Sequence, residues 1–240
     1  MKSSLKVALW IGFCVLAGCS ATGISDVEMA GLTSPAGAIV PVTTPRPVKT
    51  MQIYGGQAGG SQESEVWSLT SKQIRERLTT TDVIVSIEQY DNKGSFRYLG
   101  AESSAGKGRY KVIFDYGASR IENVDAGGNR SVTGRIGVGF RITAELNTKA
   151  SNLDLSGLMP IAFAVQNNKA FGKIHFQAYG MSHDKLPLVV PHSGAIDSSS
   201  IQKALEAVGA VKTLIGLDET KLEPYLIGIV ENPTLQVPGY

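Results

Sequence analysis

Residues Arg135 to Leu146 constrain this chain more than any other stretch. Ile136, Val138, Phe140, Ile142, Ala144 and Leu146 alternate without a break against Arg135, Gly137, Gly139, Arg141, Thr143 and Glu145. A period of two places the first set on one face of a β-strand and the second on the other. A strand with one continuous apolar face must be covered by another layer, so the chain has to build a sheet and pack something on it.

The partners of that strand are legible around it. Asp82 to Tyr90 alternates in the same way, and Ser95 to Leu99, Arg109 to Tyr116 and Ser119 to Val124 read as further strands. Asp91-Asn92-Lys93-Gly94 and Asp125 to Asn129 carry turn residues between them. Phe171 to Tyr179 sets Gly172, Ile174, Phe176 and Ala178 against Lys173, His175 and Gln177. Tyr225 to Val230 closes the series as an apolar strand. Two helices are expected: Glu65 to Leu78, with Val66, Leu69, Ile74 and Leu78 on one side, and Ser198 to Gly216 behind serine caps. In the second, Ile201, Leu205, Val208, Val211, Leu214 and Ile215 form the stripe expected to meet the sheet, with Leu205 mid-stripe. Leu153 to Val165 is apolar, lacks alternation and contains Gly157 and Pro160. The expected class is α+β, a mainly antiparallel sheet packed with two helices after a disordered tether.

Four regions follow. Residues 1–18 form a signal peptide, 19–60 a tether rich in proline and glycine, 61–232 a single α+β domain and 233–240 a C-terminal tail. Pro35, Pro41, Pro45 and Pro47 break helices in the tether, and Gly55, Gly56, Gly59 and Gly60 mark a hinge. Ile53-Tyr54 is equally suited to dock on the domain as an edge segment.

The leader rests on the first nineteen residues. Lys2 and Lys6 precede an apolar run from Val7 to Leu16, and no acid occurs before Asp26. The run is shorter than the ~20 residues a spanning helix needs, which is the shape of a cleavable export signal. It ends in Leu16-Ala17-Gly18-Cys19, which resembles the lipobox of bacterial lipoproteins. The resemblance implies cleavage before Cys19 and attachment of lipid to its thiol. Ser20 stands where an aspartate would imply retention in the inner membrane, so the resemblance points to the outer membrane, on its periplasmic or cell-surface face.

Loss of the two leader lysines takes the formal net charge from +2 to zero. A neutral mature chain has no general electrostatic reason to bind nucleic acid or an anionic lipid surface. Cys14 leaves with the leader and Cys19 carries lipid, so neither a disulfide nor thiol catalysis is expected.

Motifs for chemistry fall short of their requirements. Ala101 to Gly108 is close to a phosphate-binding loop, but Gly108 stands where Ser or Thr would follow the lysine, and a strand follows instead of a helix. His175, His183 and His192 lack metal-ligand spacing, and Ser193 lacks the strand-to-helix context of a nucleophile. Arg135, Arg141, Glu145 and Lys173 are expected on a solvated sheet face. Gly137 and Gly139 on one face form a candidate close-approach surface for a ligand, a helix or another subunit, against the simpler reading of a bulge or a tight helix crossing. No catalytic, cofactor or metal residues are assigned.

Asp82 to Asp91, the glycine-rich stretch to Gly108 and Arg135 to Ile142 are similar to the strand, glycine-rich insertion and long strand of the curli-type secretion lipoproteins. That family forms an oligomeric outer-membrane pore. The front half of its domain and its constriction loop have no counterpart here. The expectation is a non-catalytic, lipid-anchored outer-membrane protein whose domain engages an envelope protein in an envelope or secretion assembly, with an oligomer compatible with that role. The alternatives are a pore subunit and an enzyme acting on cell wall or glycan.

Overall fold

In the computed structural model, residues 39–54, 61–91, 96–99, 104–125 and 131–230 are described, and all belong to one unit spanning Gly31–Tyr240. In chain order the elements are β1 (Ile39–Pro47), β2 (Thr50–Tyr54), β3 (Ser61–Glu65), α1 (Ser71–Arg77), β4 (Thr80–Tyr90), β5 (Phe96–Leu99), β6 (Ser104–Ala105) and β7 (Gly108–Asp125). They continue as β8 (Ser131–Thr148), β9 (Leu153–Asp154), α2 (Leu158–Gln166), β10 (Ala170–Tyr179), β11 (Met181–Ser182) and α3 (Leu186–Val189). β12 (Gly194–Ala195), α4 (Ser198–Gly216), β13 (Lys221–Leu222) and β14 (Tyr225–Val230) complete them. The expected α+β class with a mainly antiparallel sheet is the class observed.

β8, the strand with unbroken alternation, is the spine. One edge pairs with β7 over its whole length, from Asp125↔Ser131 to Gly108↔Thr148. The other edge is shared: β14 takes Gly134 to Gly137, and β10 takes Gly139 to Thr148. The main sheet runs β1-β14-β8-β7-β4-β5, with β10 branching from β8 and β12 pairing with β10. The two runs expected as separate strands, Arg109 to Tyr116 and Ser119 to Val124, are one continuous β7, because Gly117-Ala118 keeps its pairing with Val138-Gly139.

Ile136, Val138, Phe140, Ile142, Ala144 and Leu146 are all buried, at no more than 2% exposure. They share a core with Val112 and Phe114 of β7, Ile174 of β10, and Ile161, Ala164, Ile201, Ala204, Ala207 and Val211 of the helices. Phe140 stacks on Phe176 with ring centroids 6.0 Å apart.

α4 has the expected bounds and a capping box: Asp197 accepts from the Ser200 backbone N–H, and the Ser200 hydroxyl accepts from that of Asp197. Its buried stripe differs from the expected one. Ile201, Ala204, Ala207, Val211, Leu214 and Ile215 face inward, whereas Leu205 lies outside at 38% exposure. The pattern 201-204-207-211 fits the helical repeat as well as one through Leu205, and alanines let the helix axis approach the sheet closely.

The other departures have local causes. The expected helix at Glu65 to Leu78 is shorter: Glu65 ends β3, Val66–Ser68 is a 3-10 turn, and α1 starts only after Thr70. Thr70 and Gln73 form a reciprocal capping box that fixes that start. Leu153 to Val165 resolves into β9 and α2, with Pro160 in the first helical turn, where a missing N–H breaks no helical bond.

The sheet begins before the expected boundary at Ser61. β1 pairs with β14, from Ile39↔Val230 to Pro47↔Tyr225, with an irregularity between Pro41 and Arg46. Pro41, Pro45 and Pro47 therefore sit in an edge strand, where a missing donor on the open side is tolerated. β2 pairs with β3, so Ile53 and Tyr54 register with Gln62 and Ser61. Met51 is 1% exposed in the core. Residues 1–38, 55–60, 92–95, 100–103, 126–130 and 231–240 lie outside the described residues, and with them the expected leader, hinge, turns and tail.

Candidate functional site

The face of β8 opposite the core was expected to be solvated. It divides into two halves. Toward the Thr148 end, Glu145 registers with Lys111 on β7 and with Lys173 on β10, and Lys111 registers in turn with Glu88 on β4. This row of alternating charge crosses four strands. Glu145 and Lys173 are exposed, as expected. Glu88 is 4% exposed and accepts from Tyr90 at 2.7 Å and Tyr98 at 3.2 Å, with Lys111 Nζ at 3.5 Å. Burial and the neighbouring Glu88 carboxylate push the Tyr90 phenol up to about 12.

Toward the other end the same face is buried, which corrects the expectation for two of its arginines. Arg141 is 3% exposed and holds Asp115 with both arms of its guanidinium. It also donates to the Val42 carbonyl on β1 and to that of Ile227 on β14 at 3.0 Å. Arg135, 7% exposed, reaches Asp82 at 3.2 Å, while its Nε and the Ser119 hydroxyl are buried without a partner. Tyr179 lies among these charges at 2% exposure, and burial holds its phenol well above the ordinary range. Burial likewise pushes the Asp115 carboxyl up, and the Arg141 guanidinium pulls it back. The reason for this enclosure is topological: β1 and β14 supply backbone carbonyls over a face that the alternation alone leaves open.

Gly137 and Gly139 sit in this buried half. A Cβ on Gly139 would lie 2.1 Å from the Tyr116 carbonyl oxygen, and one on Gly137 would lie 2.6 Å from that of Ala118. Gly117 faces Gly139 in register and is as tight, 2.1 Å from the Val138 oxygen. The close approach at these glycines is made by the backbone of β7. Cys19 lies outside the described residues.

Of the histidines, His175 is exposed, and His183 accepts a hydrogen bond on Nδ1 from the Lys185 N–H at 3.0 Å. Among the described residues no three metal-ligating side chains converge. The strand expected from Arg109 starts one residue earlier, at Gly108, and the Gly106 N–H donates to the Tyr110 hydroxyl at 2.9 Å.

His192 lines an open cleft of about 330 Å³ between α3, the following loop and the start of α4. Phe176, Pro187, Leu188, Val190 and Pro191 give it an apolar wall; Asp197, Ser199, Ser200 and Lys203 give it a polar end. α3 is a single turn, closed by the Val190 N–H on the Leu186 carbonyl at 3.1 Å. This turn displays Leu188 at 84% exposure. Pro187 and Pro191 signal only a loop in the sequence, so the cleft has no local sequence signature. Compared with family models, with curated proteins and with solved structures, the chain gives no match.

Proposed function

We propose that this chain is a non-catalytic lipoprotein, anchored in the outer membrane through Cys19, whose folded domain is a protein-interaction module. The observation that carries the reading is the open cleft beside Leu188, an apolar wall with a polar end presented on a short turn. A concave surface of that make-up suits an inserted side chain or short segment of a partner. The most deeply buried carboxylates support the non-catalytic part, since Asp115, Glu122 and Glu88 are each engaged by a cation or a tyrosine within the sheet.

A photo-cross-linking residue at position 188 in intact cells tests the module. One discrete adduct, lost when His192→Glu or Val190→Asp is introduced, is the expected result. A ladder of unspecific adducts, or none, removes the cleft as the interaction site. Cys19→Ser tests the anchor, and the variant should lose lipid labelling and membrane retention together.

A pore subunit is the second reading. The eighteen residues in each of β7 and β8 exceed the ~9–11 a tilted transmembrane strand needs. Against it, Arg120, Glu122, Arg135 and Arg141 are buried against protein along those strands. A pore would persist as a ring in the membrane after the lipid is removed, whereas an interaction module would be released.

A further inference from the structure

One end of the main sheet gathers cations and exposed apolar side chains. β7 starts, β8 ends and β10 starts there, since Gly108 registers with Thr148 and Thr148 with Ala170. The Lys149 N–H donates to the Lys169 carbonyl at 2.8 Å, and the Lys169 N–H donates to that of Ala164 at 2.8 Å, which brings the last turn of α2 to the same place. Lys107, Arg109, Lys149 and Lys169 are all exposed. Phe163 and Met159, one turn apart on α2, are 63% and 64% exposed, and Phe171 is 51% exposed with Lys149 Nζ 4.9 Å from its ring centre. Acidic residues lie near it too: Asp154 accepts from the Ser156 hydroxyl at 2.6 Å, the Asp91 backbone carbonyl accepts from Arg109 at 2.9 Å, and exposed Glu145 registers with Lys111 and Lys173.

Exposed aromatic and thioether side chains at the same end as exposed lysines match the boundary between headgroups and acyl chains of an anionic bilayer. We infer that this end of the domain is a second membrane contact, in which Met159, Phe163 and Phe171 enter the interface while Lys107, Arg109, Lys149 and Lys169 meet anionic phospholipid headgroups. The inference rests on the anchored reading in one respect: lipid on Cys19 keeps the domain at high effective concentration beside a bilayer, which makes a weak second contact sufficient. Reach allows it. β1 begins at the far end of the long strands, fourteen residues of β8 from Thr148, roughly 46 Å at ~3.3 Å each. The stretch from Cys19 to Ile39 spans up to roughly 70 Å when fully extended.

The test uses the full chain with its anchor, reconstituted into phosphatidylcholine vesicles with and without phosphatidylglycerol, with part of the acyl chains brominated. Phe163→Trp places a reporter in the patch, and the unsubstituted chain supplies the background. The expected result is bromine quenching of the new tryptophan in phosphatidylglycerol vesicles. Lys149→Glu with Lys169→Glu should raise the anionic lipid fraction or concentration required by about tenfold or more, and Lys212→Glu on α4 should leave it unchanged. Quenching that ignores both phosphatidylglycerol and the lysine pair, or no quenching at all, overturns the proposal. So does a fluorescence shift that follows protein concentration without lipid, which would mean that a second copy covers the patch. Mass spectrometry of the amino-terminal fragment reads the anchor separately. A chain without lipid on Cys19 that is still quenched in excess vesicles would sink the anchor and spare the patch.

Discussion

Arg141 grips Asp115 across the β7–β8 pair through two parallel hydrogen bonds, Nε to Oδ1 at 2.7 Å and Nη2 to Oδ2 at 2.6 Å. The same guanidinium ties down carbonyls of β1 and β14, so a single side chain joins four strands. Removing one member of a buried pair leaves the other charged and unpartnered, which typically costs about 3–5 kcal/mol. Arg141→Met should therefore lower the urea midpoint strongly. Adding Asp115→Leu should recover only part of the loss, because the carbonyls of Val42 and Ile227 remain without their donor. Full recovery in the double variant would show that the pair alone matters.

Two glycines should respond in opposite directions to the same methyl group. Gly139→Ala forces a Cβ against the Tyr116 carbonyl 2.1 Å away, and β7 and β8 must separate to accept it. The expected loss is about 3 kcal/mol, at the upper end of overpacking costs. Gly209 lies within α4 with nothing near its Cβ position. Gly209→Ala should stabilise the protein by about 0.5–1 kcal/mol through helix propensity. Thermal melts of the two variants settle both.

The two sides of α4 make a similar pair. Leu205, at 38% exposure, loses little packing in Leu205→Ala, which should cost no more than about 1 kcal/mol. Ala207, at 1%, has no room, so Ala207→Leu should cost about 1–3 kcal/mol. If Leu205→Ala proves the more damaging, the stripe through Leu205 is the buried one.

Tyr90 predicts alkaline behaviour. Its folded phenol titrates near 12, above the ordinary value of 10.0. Between those values the unfolded chain gives up its proton while the folded one keeps it, so stability falls as pH rises. Tyr90→Phe should flatten the fall in unfolding free energy over that window, measured in urea at stepped pH. An unchanged slope would assign it to the more deeply buried Tyr116 and Tyr179.

How much of this was readable in advance differs by residue. The alternation in β8, the apolar run of β14 and the capped helix α4 are local signals, since period and caps act within a few residues. They gave the right elements with nearly the right ends. The stripe on α4 followed at Ile201, Val211, Leu214 and Ile215 but not at Leu205, because two helical faces were apolar enough and only contact with the sheet chose the one with alanines. Pro41, Pro45 and Pro47 read as tether because a proline removes a donor in either setting. Whether that matters depends on the neighbour, and β14 uses only one side of β1.

By itself the sequence determined that this chain alternates into strands, that a capped helix at 198–216 precedes an apolar strand at 225–230, and that its class is α+β. Short-range sterics and the two periods of apolar residues decide those features. Tertiary structure alone decided that Arg141 and Asp115 are buried, that Gly137 and Gly139 admit a neighbouring strand, and that Lys149, Lys169, Phe163 and Phe171 share one end of the sheet. Each of these depends on residues far apart in the chain being brought together by strand register, and a one-residue pattern holds no record of its distant partner.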